Sequence, residues 1–168
     1  MIVVDTNIVA YCWIRGERTH LALRIRGCDA AWHAPVLWRS ELRSALAGYI
    51  ARGDMGLERA TTIMAEAEGA MAGREHLVPS TSVLEMAASS RLSAYDCEFV
   101  VLARALGVPL VSEDRGILKT FPDVALTMEA YLENFSPGPS SAHERGAYYK
   151  SKVRRGTKRL RARASPRA

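Results

Sequence analysis

A three-layer α/β/α sandwich with a short-stranded, mainly parallel sheet is the fold class this sequence predicts, and three observations predict it. Short apolar, β-branched runs alternate with longer stretches of helical period, the pattern of β-α-β units. The length of 168 residues suits one domain with a full core and something beyond it. Past Phe135 the composition turns to Ser-Pro-Gly-Pro-Ser-Ser-Ala and then to a Lys/Arg-rich run. A folded domain is therefore expected over residues 1–135, and a linker with a disordered basic tail over 136–168.

Ile2-Val3-Val4 reads as a buried strand that stops at Asp5. Helices are expected near 7–14 and 17–26, with a second strand over 30–34. Pro35 is expected to open a long helix reaching Arg52, with Gly53 just past its end and Asp54 as a cap. An Ala- and Met-rich helix over 57–72 leads to a third strand at 76–78. Ser82 and Glu85 have capping-box spacing at the start of a helix over 80–91. The next helix, 95–106, stops at Gly107. Strands over 108–112 and 125–127 complete the sheet, with a short helix over 115–121 between them.

The formal charge of +5 combines two unlike parts. Residues 1–135 hold 13 Lys/Arg and 17 Asp/Glu, a balance of −4, whereas residues 136–168 hold 10 and 1, a balance of +9. The tail cations Lys150, Lys152, Arg154, Arg155, Lys158, Arg159 and Arg161 are candidates for contacts with RNA phosphates; a plain solvated extension is the alternative. Cys12, Cys28 and Cys97 are widely spaced with no C-x-x-C pair, which argues against a disulfide framework or a structural zinc and suits a reducing cytoplasm. The N-terminal apolar run is shorter than the roughly 7–15 residues of an export signal. No stretch approaches the ~18 apolar residues of a membrane span, so no membrane partner is expected. His20, His33, His76 and His143 match no ligand spacing. Trp32 and Trp38 are expected to pack, and Met55, Met64 and Met71 to serve the core, with a docked partner or second subunit as the alternative.

Four acids stand where an acid needs a reason. Asp5 ends the first strand and precedes Thr6 and Asn7; Asp114 follows the fourth strand after Ser112; Asp96 opens a helix. In parallel sheets the ligand crevice lies beyond the carboxyl ends of the strands. Each of these three also has a structural reading. Asp5 suits the cap of the first helix, Ser93 to Asp96 has capping-box spacing, and Asp114 suits the cap of the short helix. Glu41 resists such a reading. At ~100° per residue its helix places Trp38, Leu42, Ala45, Leu46 and Tyr49 on one arc, Arg39 and Arg43 outside it, and Glu41 at its edge. A carboxylate there is costly unless paired or bound to a cation. Asp96 likewise continues the stripe of Phe99, Val100, Ala103 and Leu106. Carboxylates that converge repel one another, and a divalent cation removes that penalty. Oxygen donors without a His/Cys set favour Mg²⁺ or Mn²⁺ over zinc. A nuclease that cuts phosphodiesters with metal-held water is therefore expected. Glu98 and Glu113 are expected to face solvent.

Four segments, V-V-D-T-N, R-S-E-L-R-S-A-L, A-Y-D-C-E-F-V-V-L-A and P-L-V-S-E-D, follow one another over residues 1–132 and together resemble a PIN domain. Among PIN domains the chain is most similar to the VapC-type toxins of bacterial toxin–antitoxin pairs. The resemblance implies a PIN-like fold and a Mg²⁺-dependent endoribonuclease acting on RNA, held inactive by a cognate antitoxin, and a cytoplasmic homodimer. By motif match Asp5, Glu41, Asp96 and Asp114 take the acidic positions, with Asp5, Asp96 and Asp114 as metal ligands. Thr6, Asn7 and Ser112 take the supporting polar positions, Ser112 standing where Thr is more usual. Gly116 stands where many relatives place a further acid. In-line attack by water would leave a 5′-phosphate and a 3′-hydroxyl, with Glu41 or Asp114 taking the proton. Two alternatives remain. One is a phosphoryl-accepting α/β domain, against which V-V-D-T-N lacks the second Asp of a D-x-D loop and no glycine-rich phosphate cradle is present. The other is a non-catalytic RNA-binding module whose acids serve only as caps.

Overall fold

The computed structural model describes residues 1–135; the expected linker and basic tail lie outside the described residues. Five strands, β1 (Ile2–Val4), β2 (Trp32–Pro35), β3 (Glu75–His76), β4 (Leu110–Val111) and β5 (Ala125–Leu126), form one sheet in the order β3-β2-β1-β4-β5. Every pairing is parallel, so the sheet is wholly rather than mainly so. Among the described residues eight helices connect and follow the strands: α1 (Thr6–Trp13), α2 (Thr19–Cys28), α3 (Trp38–Ala51), α4 (Leu57–Met71), α5 (Ser80–Ser90), α6 (Ala94–Leu106), α7 (Arg115–Thr120) and α8 (Met128–Phe135).

From β1 the chain adds β2 and β3 on one side, then returns to add β4 and β5 on the other. Right-handed crossovers place the helices of these two halves on opposite faces, which is compatible with a three-layer sandwich. Helix α6 lies against β1, β2 and β4 and carries α5, while α1 lies against β1 and α4 against β2. A strand covered on both faces reads as a continuous apolar run. Ile2, Val3 and Val4 are accordingly all buried, as are Trp32 and Trp38. Met71 is buried too, and Met55 and Met64 pack on the same core. The reversal of direction makes the junction of β1 and β4 a topological switch point, where open α/β sheets bind ligands beyond their carboxyl ends.

Local signals held at two helix ends. At the end of α3, Gly53 has φ +77°. Its N–H donates to the Ile50 carbonyl and that of Asp54 to the Tyr49 carbonyl, a Schellman ending that needs the left-handed region. Gly107 ends α6 with φ +65°. Elsewhere longer-range pairing prevailed. Pro35 does not open a helix but ends β2, opposite His76 in the register. The Val36 N–H then donates to the His76 carbonyl, so α3 begins only at Trp38. The Ser82–Glu85 capping box is not used, because α5 starts at Ser80 from Pro79 and leaves Ser82 inside the first turn. Helix α8 was not anticipated. The Thr127 hydroxyl accepts from the Ala130 N–H at its start, 3.1 Å. Arg39 does not face away: it pairs with Glu68 and Glu75, and the Trp38 indole donates to the same Glu75 carboxylate at 2.8 Å. Ala45, placed on the apolar arc, is exposed. No helix among the described residues is long and apolar enough to cross a membrane.

Candidate active site

Asp5 follows β1 in the N-cap position of α1, with extended backbone; its carboxylate faces the Thr6 and Asn7 amides but forms no well-aligned cap hydrogen bond. It accepts instead from the Ser112 hydroxyl across the switch point, 2.6 Å. Only 7% of Asp5 is exposed. Burial pushes its pKa above the usual carboxylate range, and the charge of Asp114 adds to that. The Ser112 hydroxyl and the Asn7 and Thr6 amides pull the other way. A carboxylate in that position is disfavoured as an anion unless positive charge reaches it.

Ser112, fully buried at the end of β4, joins two acids through one hydroxyl. It donates to Asp5 and accepts from the Asp114 N–H at 3.0 Å. Asp114 is the N-cap of α7, its Oδ1 accepting from the Ile117 N–H at 2.8 Å. Glu41 lies in the first turn of α3 and is half-buried. The Thr6 hydroxyl donates to Glu41 Oε2 at 2.5 Å, which ties α1 to α3. Burial raises the Glu41 pKa, the Thr6 bond opposes it, and the charges of Asp5, Asp96 and Glu98 raise it further. Asp96 is the third residue of α6. Its N–H donates to the Ser93 hydroxyl at 3.1 Å, and that hydroxyl donates back to Asp96 Oδ2 at 2.7 Å. Asn7 is exposed at the second position of α1.

Electrostatically the four predicted acids form one neighbourhood, since Asp114 acts on Asp5, and Asp5 and Asp96 act on Glu41. Among the described residues, however, no three Asp, Glu, His or Cys side chains stand close enough together to hold a metal ion. Each carboxylate is turned to its own donor: Asp5 to Ser112, Glu41 to Thr6, Asp96 to Ser93, Asp114 to the Ile117 amide. The donor chemistry fits a hard divalent cation, being carboxylate and hydroxyl oxygen throughout. The buried, anion-disfavouring position of Asp5 fits the same requirement. A Cβ at Gly116 would lie 3.0 Å from Asp114 Oδ1 and 3.1 Å from Leu92 Cδ2, so one of these side chains would have to give by a few tenths of an ångström.

Two acids expected in solvent are placed otherwise. Glu113 accepts from Arg18 at 2.8 Å and from the Met128 N–H at 3.0 Å, which pins the β4–α7 turn to α2 and α8. Glu98 is partly buried, burial raises its pKa, and it acts on Glu41. The dispersed histidines include a pair: His33 Nδ1 and His76 Nε2 are hydrogen-bonded at 2.8 Å across β2 and β3. Their separation of 43 positions gave no local signal. His143 lies outside the described residues. No protein-family model matches this chain, and no curated protein matches it.

Proposed function

We propose that this chain is a Mg²⁺-dependent endoribonuclease of PIN type, the toxin of a VapBC-like pair. In this reading it works in the cytoplasm as a homodimer on RNA, restrained by a cognate antitoxin. The observation that carries the nuclease part is the buried Asp5 carboxylate at the switch point, disfavoured as an anion and within the field of Asp114. Repelling carboxylates at a ligand crevice are what a cation site requires before the cation binds. The toxin, antitoxin and homodimer parts rest on the motif resemblance over residues 1–132.

Asp5, Asp96 and Asp114 are the residues that would hold Mg²⁺, or Mn²⁺ in its place. When bound, the ion supplies Lewis acidity and a more acidic water. Glu41, its proton affinity raised and its orientation held by Thr6, is suited to take the proton of the attacking water. The water oxygen would form a new bond to phosphorus as the bond to the 3′ oxygen breaks, and the departing 3′ oxygen would take a proton from solvent, leaving a 5′-phosphate and a 3′-hydroxyl. Ser112 keeps Asp5 and the β4–α7 turn in register.

A second reading, a non-catalytic RNA-binding module, is favoured by the hydrogen bonds through which Asp96 and Asp114 take part in helix caps. Full-length protein incubated with labelled single-stranded RNA in Mg²⁺, Mn²⁺ or EDTA separates the two. Cleavage that needs the divalent ion, ends in 3′-hydroxyls and is lost in Asp5→Asn and Asp96→Asn supports the nuclease. RNA bound but uncut under every condition leaves the binding module.

A further inference from the structure

Of the Trp, Tyr and Phe side chains among the described residues, Tyr95 alone stands in solvent, 63% exposed; the others are buried or half-buried. It is the second residue of α6, immediately before Asp96. Among the described residues its ring and hydroxyl have no hydrogen-bond or ring partner. A tyrosine ring exposed beside the carboxylates offers a flat apolar face on which a planar ligand group can bury its own.

The same corner holds two free cations. Arg91 ends α5 with φ +64° and is exposed, and Arg115 opens α7 and is exposed. Neither guanidinium has an ion-pair partner among the described residues. The turns that carry them touch, since a Cβ on Gly116 would meet Leu92 Cδ2. The neighbouring charges of Asp5, Glu41, Asp96, Glu98 and Asp114 repel a polyanion, and attraction from cations beside them must offset that repulsion. One exposed ring with two unpaired guanidinium groups matches a nucleobase with its flanking phosphates.

We propose that Tyr95 is a stacking platform for an unpaired base of single-stranded RNA, with Arg91 and Arg115 holding the adjacent phosphates. This rests on the nuclease reading and deepens it by assigning Tyr95, Arg91 and Arg115 to positioning the strand, with the stacked base beside the bond to be cut. Stacking tolerates any base, because each has a π face. A duplex offers no such face, its bases being stacked within the helix.

The test uses the full-length protein and a single-stranded RNA oligonucleotide with one 2-aminopurine, in Ca²⁺ and at ~0.2 M salt to reduce the share of the basic tail. Tyr95→Ala should weaken binding by about 5- to 150-fold, the range for one stacked base. It should also abolish the quenching of 2-aminopurine without lowering the melting temperature. Tyr95→Phe should stay within about twofold of wild type, because stacking needs the ring and not the hydroxyl. Arg91→Ala and Arg115→Ala should each reduce the salt slope by about 0.7. Equal affinity of Tyr95→Ala and wild type overturns the proposal, as does an equal loss on duplex RNA. A Tyr95→Ala variant that changes sedimentation but not RNA binding overturns it in favour of a contact between copies. Wild-type cleavage in Mg²⁺, measured alongside, keeps the two ideas apart. Cleavage without Tyr95-dependent binding removes this proposal alone, and Tyr95-dependent binding without cleavage removes only the nuclease. Neither cleavage nor binding removes both.

Discussion

Replacing Ser112 with Ala removes one oxygen from a fully buried position and breaks two hydrogen bonds there, to Asp5 at 2.6 Å and from the Asp114 N–H at 3.0 Å. A hydrogen bond to a charged partner contributes ~1.5–3 kcal/mol, and a partly buried amide left without its acceptor costs about 1 kcal/mol. The sum is about 2.5–4 kcal/mol, and a domain of this size should lose about 8–16 °C of melting temperature. The assay is thermal and urea unfolding in EDTA, followed by circular dichroism, at mildly alkaline pH, which favours the charged form of Asp5 against its raised pKa. Repeating it in an Asp5→Asn background isolates the charge, because the hydroxyl then donates to a neutral carbonyl. There the same substitution should cost about 1 kcal/mol less, the coupling expected of residues in direct contact. A Ser112→Ala protein within about 1 kcal/mol of wild type would refute the reasoning. So would an identical cost in both backgrounds, since the Asp5–Ser112 bond would then contribute nothing particular to a buried anion.

Four further outcomes are expected. Mn²⁺ or Mg²⁺ should stabilise the EDTA-treated protein by about 2.7 kcal/mol at a hundredfold excess over Kd, less so in Glu41→Gln and Asp114→Asn; a melting curve indifferent to both ions removes the metal site. Gly116→Ala should lower any cleavage rate, because its Cβ would lie 3.0 Å from Asp114 Oδ1, which the Ile117 N–H pins, while its stability should change little, the crowding offsetting the about 1 kcal/mol that Ala gains over Gly in a helix; an unchanged rate would mean that Asp114 moves freely. His33 has a lowered pKa, first from burial, then from His76, Arg74 and the N-terminus, with Asp29 opposing. Its folded form therefore binds protons less readily than its unfolded form, so this stability is present above about pH 6.5 and lost as pH falls below it; His33→Gln should flatten urea-measured stability between about pH 7 and 5, and an unchanged slope would sink the assignment. Deletion after Pro137 should weaken RNA binding and flatten its salt dependence, by about 0.7 in slope per lost phosphate contact, while leaving the rate at saturating RNA unchanged; equal slopes in filter binding would leave the tail a solvated extension.

Much of the fold was legible in the sequence because its signals are local. The run Ile2-Val3-Val4 states a buried strand through residue type alone, and Gly53 and Gly107 state helix ends because a positive φ is cheap only for glycine. The positions of Asp5, Asp96 and Asp114 at strand and helix boundaries were likewise readable one segment at a time, and so was the ambiguity between capping and catalysis that two of them retain. Tertiary structure decided what spacing leaves open. Pro35 is compatible with a helix start and with a strand end, and only the pairing with β3 selects the strand. Glu98 and Glu113 carry no local mark, and their surroundings come from α3, α2 and α8. His33 meets His76, and Ser112 meets Asp5, across 43 and 107 positions. Helix and turn preferences act over a few residues, whereas desolvation and Coulomb forces act through space and are set by how the elements pack. The raised pKa values of Asp5 and Glu41 therefore belong to the assembled sheet and not to any segment of it.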